Sequence, residues 1–112
     1  MPQNRPIKIE GIEPNGTLRL SDKGNTIVQR GDTVTWSIHP GSKVQKINNI
    51  VKSGGVEVFS EKPAPIGSSG HWRGTISPTI QDGSEQKYDI HYTPEGSTEV
   101  VVFDPKIIVN SR

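Results

Sequence analysis

The chain has no cysteine. Disulfide staples, thiol nucleophiles and thiolate metal ligands are therefore outside its chemistry. Aromatic residues are scarce, at 5% of 112. The hydrophobic share is 29%, with 12 glycines and 9 prolines, against a usual apolar share of roughly 45–50% with glycine counted. No window approaches the roughly 20 apolar residues that a membrane-spanning helix needs, so no membrane span is expected. Residues Met1 to Pro6 contain no hydrophobic run of the kind that drives secretion. A cytoplasmic protein and a mature domain without its targeting segment both fit. Neither sign of charge dominates, with 13 Lys and Arg against 12 Asp and Glu. Basic residues are scattered rather than massed, so nucleic-acid binding is not expected.

A chain of 112 residues is read as a single domain over 1–112, with its core over about residues 7–109. A domain of this size buries roughly two-thirds of its unfolded surface. With so few apolar residues, their placement has to supply the core. The charges are split along the chain: residues 1–56 hold eight basic and four acidic side chains, residues 57–112 five and eight. A sandwich interleaves distant segments, so this split does not by itself make two charged faces.

Placement follows the period of two that marks half-buried strands. Ile7 and Ile9 alternate with polar residues, as do Leu18 and Leu20, and Asn15-Gly16 between them suits a tight turn. Residues 22–25 mark a second turn before Thr26–Val28. Val34, Trp36 and Ile38 share one face of a strand, with Thr33, Thr35 and Ser37 on the other. Val44 and the Ile47–Val51 patch offer another strand of less regular alternation, with a short helix as the alternative there. Gly54-Gly55 reads as a separator before Val56–Phe59, and Ser60–Gly70, rich in proline and glycine, as a loop. Trp72, Gly74 and Ile76 fall on one side of a further strand, where Gly74 suggests a bend, a bulge or a close contact. Tyr88, Ile90 and Tyr92 alternate with Asp89, His91 and Thr93. Two short strands follow, Glu99–Phe103 and Lys106–Val109. Many short strands without a long helical period predict an all-β Greek-key sandwich of roughly seven to nine strands.

Gly31–Trp36 (Gly-Asp-Thr-Val-Thr-Trp), Tyr88–Tyr92 (Tyr-Asp-Ile-His-Tyr), Pro94 and Ile107–Val109 together resemble the cupredoxin family. The resemblance runs over most of the chain and implies a cupredoxin-like sandwich. It also implies where copper would sit: a cysteine near Tyr92 or Thr93, a histidine soon after, a methionine in the next loop, and an earlier histidine to which His39 loosely corresponds. After Pro94 the sequence reads Glu95-Gly96-Ser97-Thr98, without histidine or methionine. A blue-copper site needs the thiolate, so the resemblance carries the scaffold and not the redox chemistry. No cofactor is expected.

Other chemistry is thinly supported. His39, His71 and His91 would make a zinc or copper site only if three separate segments converged. Asp89 and His91 share a strand face, too far apart in the extended chain for an assured contact. Ser37 and His39 have no acid or oxyanion donor beside them in sequence. Gly67–Gly70 lacks the phosphate-binding signature and reads as a flexible loop.

The function expected is therefore non-enzymatic: protein recognition or structural interaction through loops or an exposed β-edge. The loops are Pro40–Lys43, Lys62–Trp72 and Pro94–Thr98. The candidate contact residues are Trp72, Arg73, Lys43 and Lys46, with an unknown protein or a second copy as partner. Two alternatives stand beside it. A carbohydrate-binding module would need an exposed aromatic platform, with Trp72 the candidate. A small His-dependent metalloenzyme would need the histidines to meet.

Overall fold

The computed structural model describes residues 3–15, 17–21, 25–67 and 70–109. They form ten strands: β1 (Asn4–Ile12), β2 (Leu18–Leu20), β3 (Asn25–Val28), β4 (Thr33–Ile38), β5 (Val44–Gly55), β6 (Phe59–Pro65), β7 (Trp72–Ile76), β8 (Glu85–Pro94), β9 (Val101–Phe103) and β10 (Lys106–Val109). The first sheet runs β2-β1-β4-β7-β6. The second runs β3-β10-β8-β5, with β9 also on β8. Both are mixed, because β1 lies parallel to β4 and β3 parallel to β10, while the other pairs are antiparallel. The chain crosses between the sheets at β2/β3, β3/β4, β4/β5, β5/β6 and β7/β8, which stacks the two sheets face to face.

The inward faces are the ones the alternation marks. Ile7 and Ile9 of β1, Val34 and Trp36 of β4, Tyr88, Ile90 and Tyr92 of β8, and Ile107 and Val109 of β10 are all fully buried or nearly so. Trp36 sits at the centre. Its ring meets Tyr88 edge-on at 5.7 Å and Phe59 at 6.1 Å, and its indole N–H donates to the Tyr88 hydroxyl at 3.2 Å. The one polar end of a large aromatic is thus satisfied inside the core, as burial requires.

One open choice is decided by the fold, and two readings from sequence are corrected. Val44, Ile47 and Ile50 are buried at a spacing of three, which suits a helix, yet they lie on one 12-residue strand. Register shifts at Val44/Lys46, Ile47/Asn49 and Lys52/Gly54 insert extra residues and stretch the period of two. Gly54-Gly55 does not separate strands but ends β5. Gly55 has φ of 74°, and a Cβ there would collide with the Glu85 carbonyl oxygen. Ser60–Gly70 is not simply a loop, since most of it is β6. Pro63 and Pro65 are tolerated because β6 is an edge strand, where a missing N–H breaks no central ladder.

Gly74 proves to be a point of close contact. An added Cβ would lie 2.9 Å from the Phe59 ring and 3.2 Å from the Glu61 carbonyl. β9 and β10 keep the same register along β8 and are parted by Asp104-Pro105, whose carbonyl accepts Tyr88 N–H at 3.1 Å. The turns expected at Asn15-Gly16 and residues 22–25 fall largely outside the described residues. Asn15 itself accepts Thr17 N–H through its side chain.

Candidate functional site

Strand directions gather loops at one end of the sandwich. β4 leaves that end through His39–Lys43, and β8 through Glu95–Val100. The two turns are tied by Glu95 N–H donating to the Lys43 carbonyl at 2.8 Å. β7 begins at the same end, since Trp72 pairs with Trp36, which brings the β6–β7 turn there too. Two of the expected loops are therefore joined and the third lies at the same end.

The candidate side chains are not gathered with them. Trp72 is inward, at 8% relative exposure, and belongs to the core. Arg73 points to the opposite, outer side of β7, where it borders a groove with Glu61, Pro65 and Thr75 on the first sheet. Lys43 and Lys46 belong to the second sheet. Both are exposed, and neither forms an ion pair within the described residues. Lys43 adopts φ of 67°, a left-handed backbone that costs a lysine roughly 1 kcal/mol. Lys46 borders a polar recess of about 390 Å³ with Gln45, Asn48, Thr93 and Thr98, and Asn48 Nδ2 donates to Thr93 Oγ1 at 2.7 Å.

The histidines occupy separate positions. His39 lies in the β4–β5 turn, where its Nδ1 accepts Gly41 N–H at 3.2 Å. His91 lies on the outer face of the second sheet between Val102 and Asn49, and His71 is exposed ahead of β7. Among the described residues no three His, Asp or Glu side chains cluster as metal ligands. Both tryptophans, both tyrosines and Phe59 are buried, so Trp72 provides no exposed aromatic platform. No described helix is long and apolar enough to cross a membrane.

Another recess has no counterpart among the residues singled out from sequence. A cleft of about 280 Å³ lies at the corner where β5 and β6 part. Asn49–Lys52 form one wall and Lys62 and Pro63 the other, with Glu57 and Gln86 between. Asn49 to Lys52 is the stretch of β5 that stays in unbroken register with β8, between two bulges. Tyr88 directs its backbone toward Pro105, so its neighbour Asp89 faces β5 and pairs with Val51. The backbone groups of Ile50 and Lys52 then point away from β8. Consistently, Ile50 N–H is taken by the Asn49 side chain at 3.0 Å instead of by β8.

Gln86 forms the inner end of this cleft, at 2% exposure. Its Oε1 accepts Val58 N–H at 2.8 Å. Among the described residues its Nε2 has no acceptor, yet no buried side-chain nitrogen there is left unsatisfied. The amide nitrogen therefore reaches solvent, through the cleft that Gln86 lines. The signal was present in the sequence: carrying the Tyr88/Ile90/Tyr92 alternation back by two places puts Gln86 inward.

Charge divides across the second sheet. From Thr33 to Val56 there are three lysines and no acid, whereas from Tyr92 to Pro105 there are three acids and neither Lys nor Arg. β5 is thus the basic border of the sheet and the β9 segment the acidic one. No family model and no curated protein matches the chain.

Proposed function

We propose that this is a non-enzymatic recognition domain on a cupredoxin-like Greek-key sandwich, making its contact along the open edge of β5. The observation that carries this reading is the outer edge of Asn49–Lys52, along which no strand of the described residues pairs, with a cleft running beside it. A sheet edge offers a partner strand backbone hydrogen bonds, and a recess beside it offers side-chain selection. The other edges are poorer: β2 and β9 have three residues each, β3 four, and β6 carries two prolines. The scaffold reading rests on the resemblance in sequence and on the two parallel pairs, β1 with β4 and β3 with β10.

Selection of binders from a random dodecapeptide library tests this, with each binder mapped by amide chemical shifts on the labelled protein. Binders are expected to move the resonances of Asn49–Lys52. Binders that consistently move the His39–Lys43 and Glu95–Val100 turns instead, or a library that yields none, would overturn the β5-edge reading.

A further inference from the structure

The chemistry of the β5–β6 cleft selects among partners. We infer that it takes an extended acidic peptide, with one of the peptide's carboxylates seated between Gln86 and Lys52; this rests on the β5-edge reading above. The cleft is rich in donors. Gln86 Nε2 has both its hydrogens to give and no acceptor for either among the described residues. Lys52 has no acid within ion-pair distance among the described residues. Lys62 faces Glu57 only at 4.0 Å. Glu57 is the sole anion among the lining residues, and two lysines stand against it. A carboxylate is the group that accepts hydrogen bonds from an amide and an ammonium together, and such charge-assisted bonds are roughly twice as strong as neutral ones.

The peptide, rather than a free carboxylate, follows from the edge. The backbone of Lys52 is directed off β5 on the cleft side, so a strand laid there gains main-chain bonds as well as the carboxylate contact. Ile50, Val51 and Pro63 supply apolar wall for the alternate side chains. Lysines on a free edge ordinarily keep strands of other molecules away. An acidic strand is the partner for which Lys46 and Lys52 attract instead of repel.

The test uses an acetylated, amidated Val-Glu-Val-Glu-Val pentapeptide, its Gln-for-Glu counterpart and free glutarate, titrated into the labelled protein. The acidic peptide is expected to shift the Gln86 side-chain amide and the backbone amides of Ile50–Lys52. The neutral peptide and glutarate should each bind at least tenfold more weakly. Gln86→Glu keeps the acceptor for Val58 N–H but removes the donors and adds a negative charge, and it should abolish binding. Lys52→Glu, on the exposed strand, should do so without disturbing the fold.

Equal binding of the neutral peptide would remove the carboxylate from the inference while leaving the edge reading intact. Equal binding of glutarate would overturn the peptide in favour of a small carboxylate. Acid-dependent shifts confined to Lys43 and Lys46, or no shift with any probe, would overturn the cleft.

Discussion

At the scale of single residues, Asp32 shows how an ionisable group can be structural. Its carboxylate is fully buried and accepts from Arg5 Nε at 2.8 Å, from Gln29 N–H at 2.9 Å and from Gln3 N–H at 2.9 Å. Burial alone would raise its pKa, but the Arg5 guanidinium and the two backbone donors outweigh this and hold it below the usual carboxylate value. A lowered folded pKa stabilises the protein at pH above the unfolded value of about 3.9, and that stability is lost as pH falls toward the lower folded value. Asp32→Asn should cost about 2 kcal/mol at neutral pH, since it leaves the partly exposed Arg5 guanidinium without its anion and two backbone donors poorly matched. Denaturant midpoints from pH 7 to 2 check this: the gap between wild type and Asp32→Asn should close below about pH 4. A gap of constant size would count against the ionised carboxylate as the cause. Gly55 gives the second residue-scale expectation. Gly55→Ala meets a carbonyl oxygen and should cost about 2 kcal/mol or more, whereas Gly96→Ala, with comparable φ of 77° but open space around it, should cost about 1 kcal/mol. Equal losses in thermal unfolding would show that φ alone decides both.

At the scale of elements, legibility depended on regularity. β4, β7 and β8 could be read face by face because inward and outward residues alternate along most of each, the exceptions being half-buried Ile38 at the end of β4 and Thr93, buried next to Tyr92, near the end of β8. β5 could not, because its bulges give Val44, Ile47 and Ile50 the spacing of a helix. β6 was hidden by its prolines, which signal loops in general but are harmless on an outer strand. The candidate site was legible only in part. Lys43 and Lys46 could be read as exposed basic residues on or beside a strand. The cleft could not, because it depends on which two strands meet at a corner, and that is a property of topology rather than of any local pattern. The prolines of β6 have a protective consequence. Pro63→Val with Pro65→Val restores two N–H groups to an outer strand, and this should raise self-association severalfold at high concentration, read by light scattering. A double variant that stays monomeric would show that the edge is guarded by something else.

At the scale of the whole molecule, the two sheets share one interior. Trp36 comes from the first sheet and Tyr88 from the second, and their hydrogen bond and ring contact cross the interface. Trp36 and Trp72 both lie inside it. Tryptophan emission and far-ultraviolet circular dichroism should therefore report the same unfolding event, with coincident urea transitions. Separated transitions would mean that the sheets come apart before they unfold. The Asp32 cluster joins the start of β1 to the turn before β4, so these elements should be lost together in that event.

Gln86 has one further consequence, because an amide is a conjugated unit. Charge drawn from its nitrogen by an acceptor in the cleft appears as added negative charge on its oxygen, where Val58 N–H is held. An event at the surface would then be felt as a tightened bond inside the sandwich, without any atom needing to move far. Slower hydrogen exchange at Val58 on cleft occupancy would report that polarisation directly, and would make this single side chain the wire between the outside of the protein and its core.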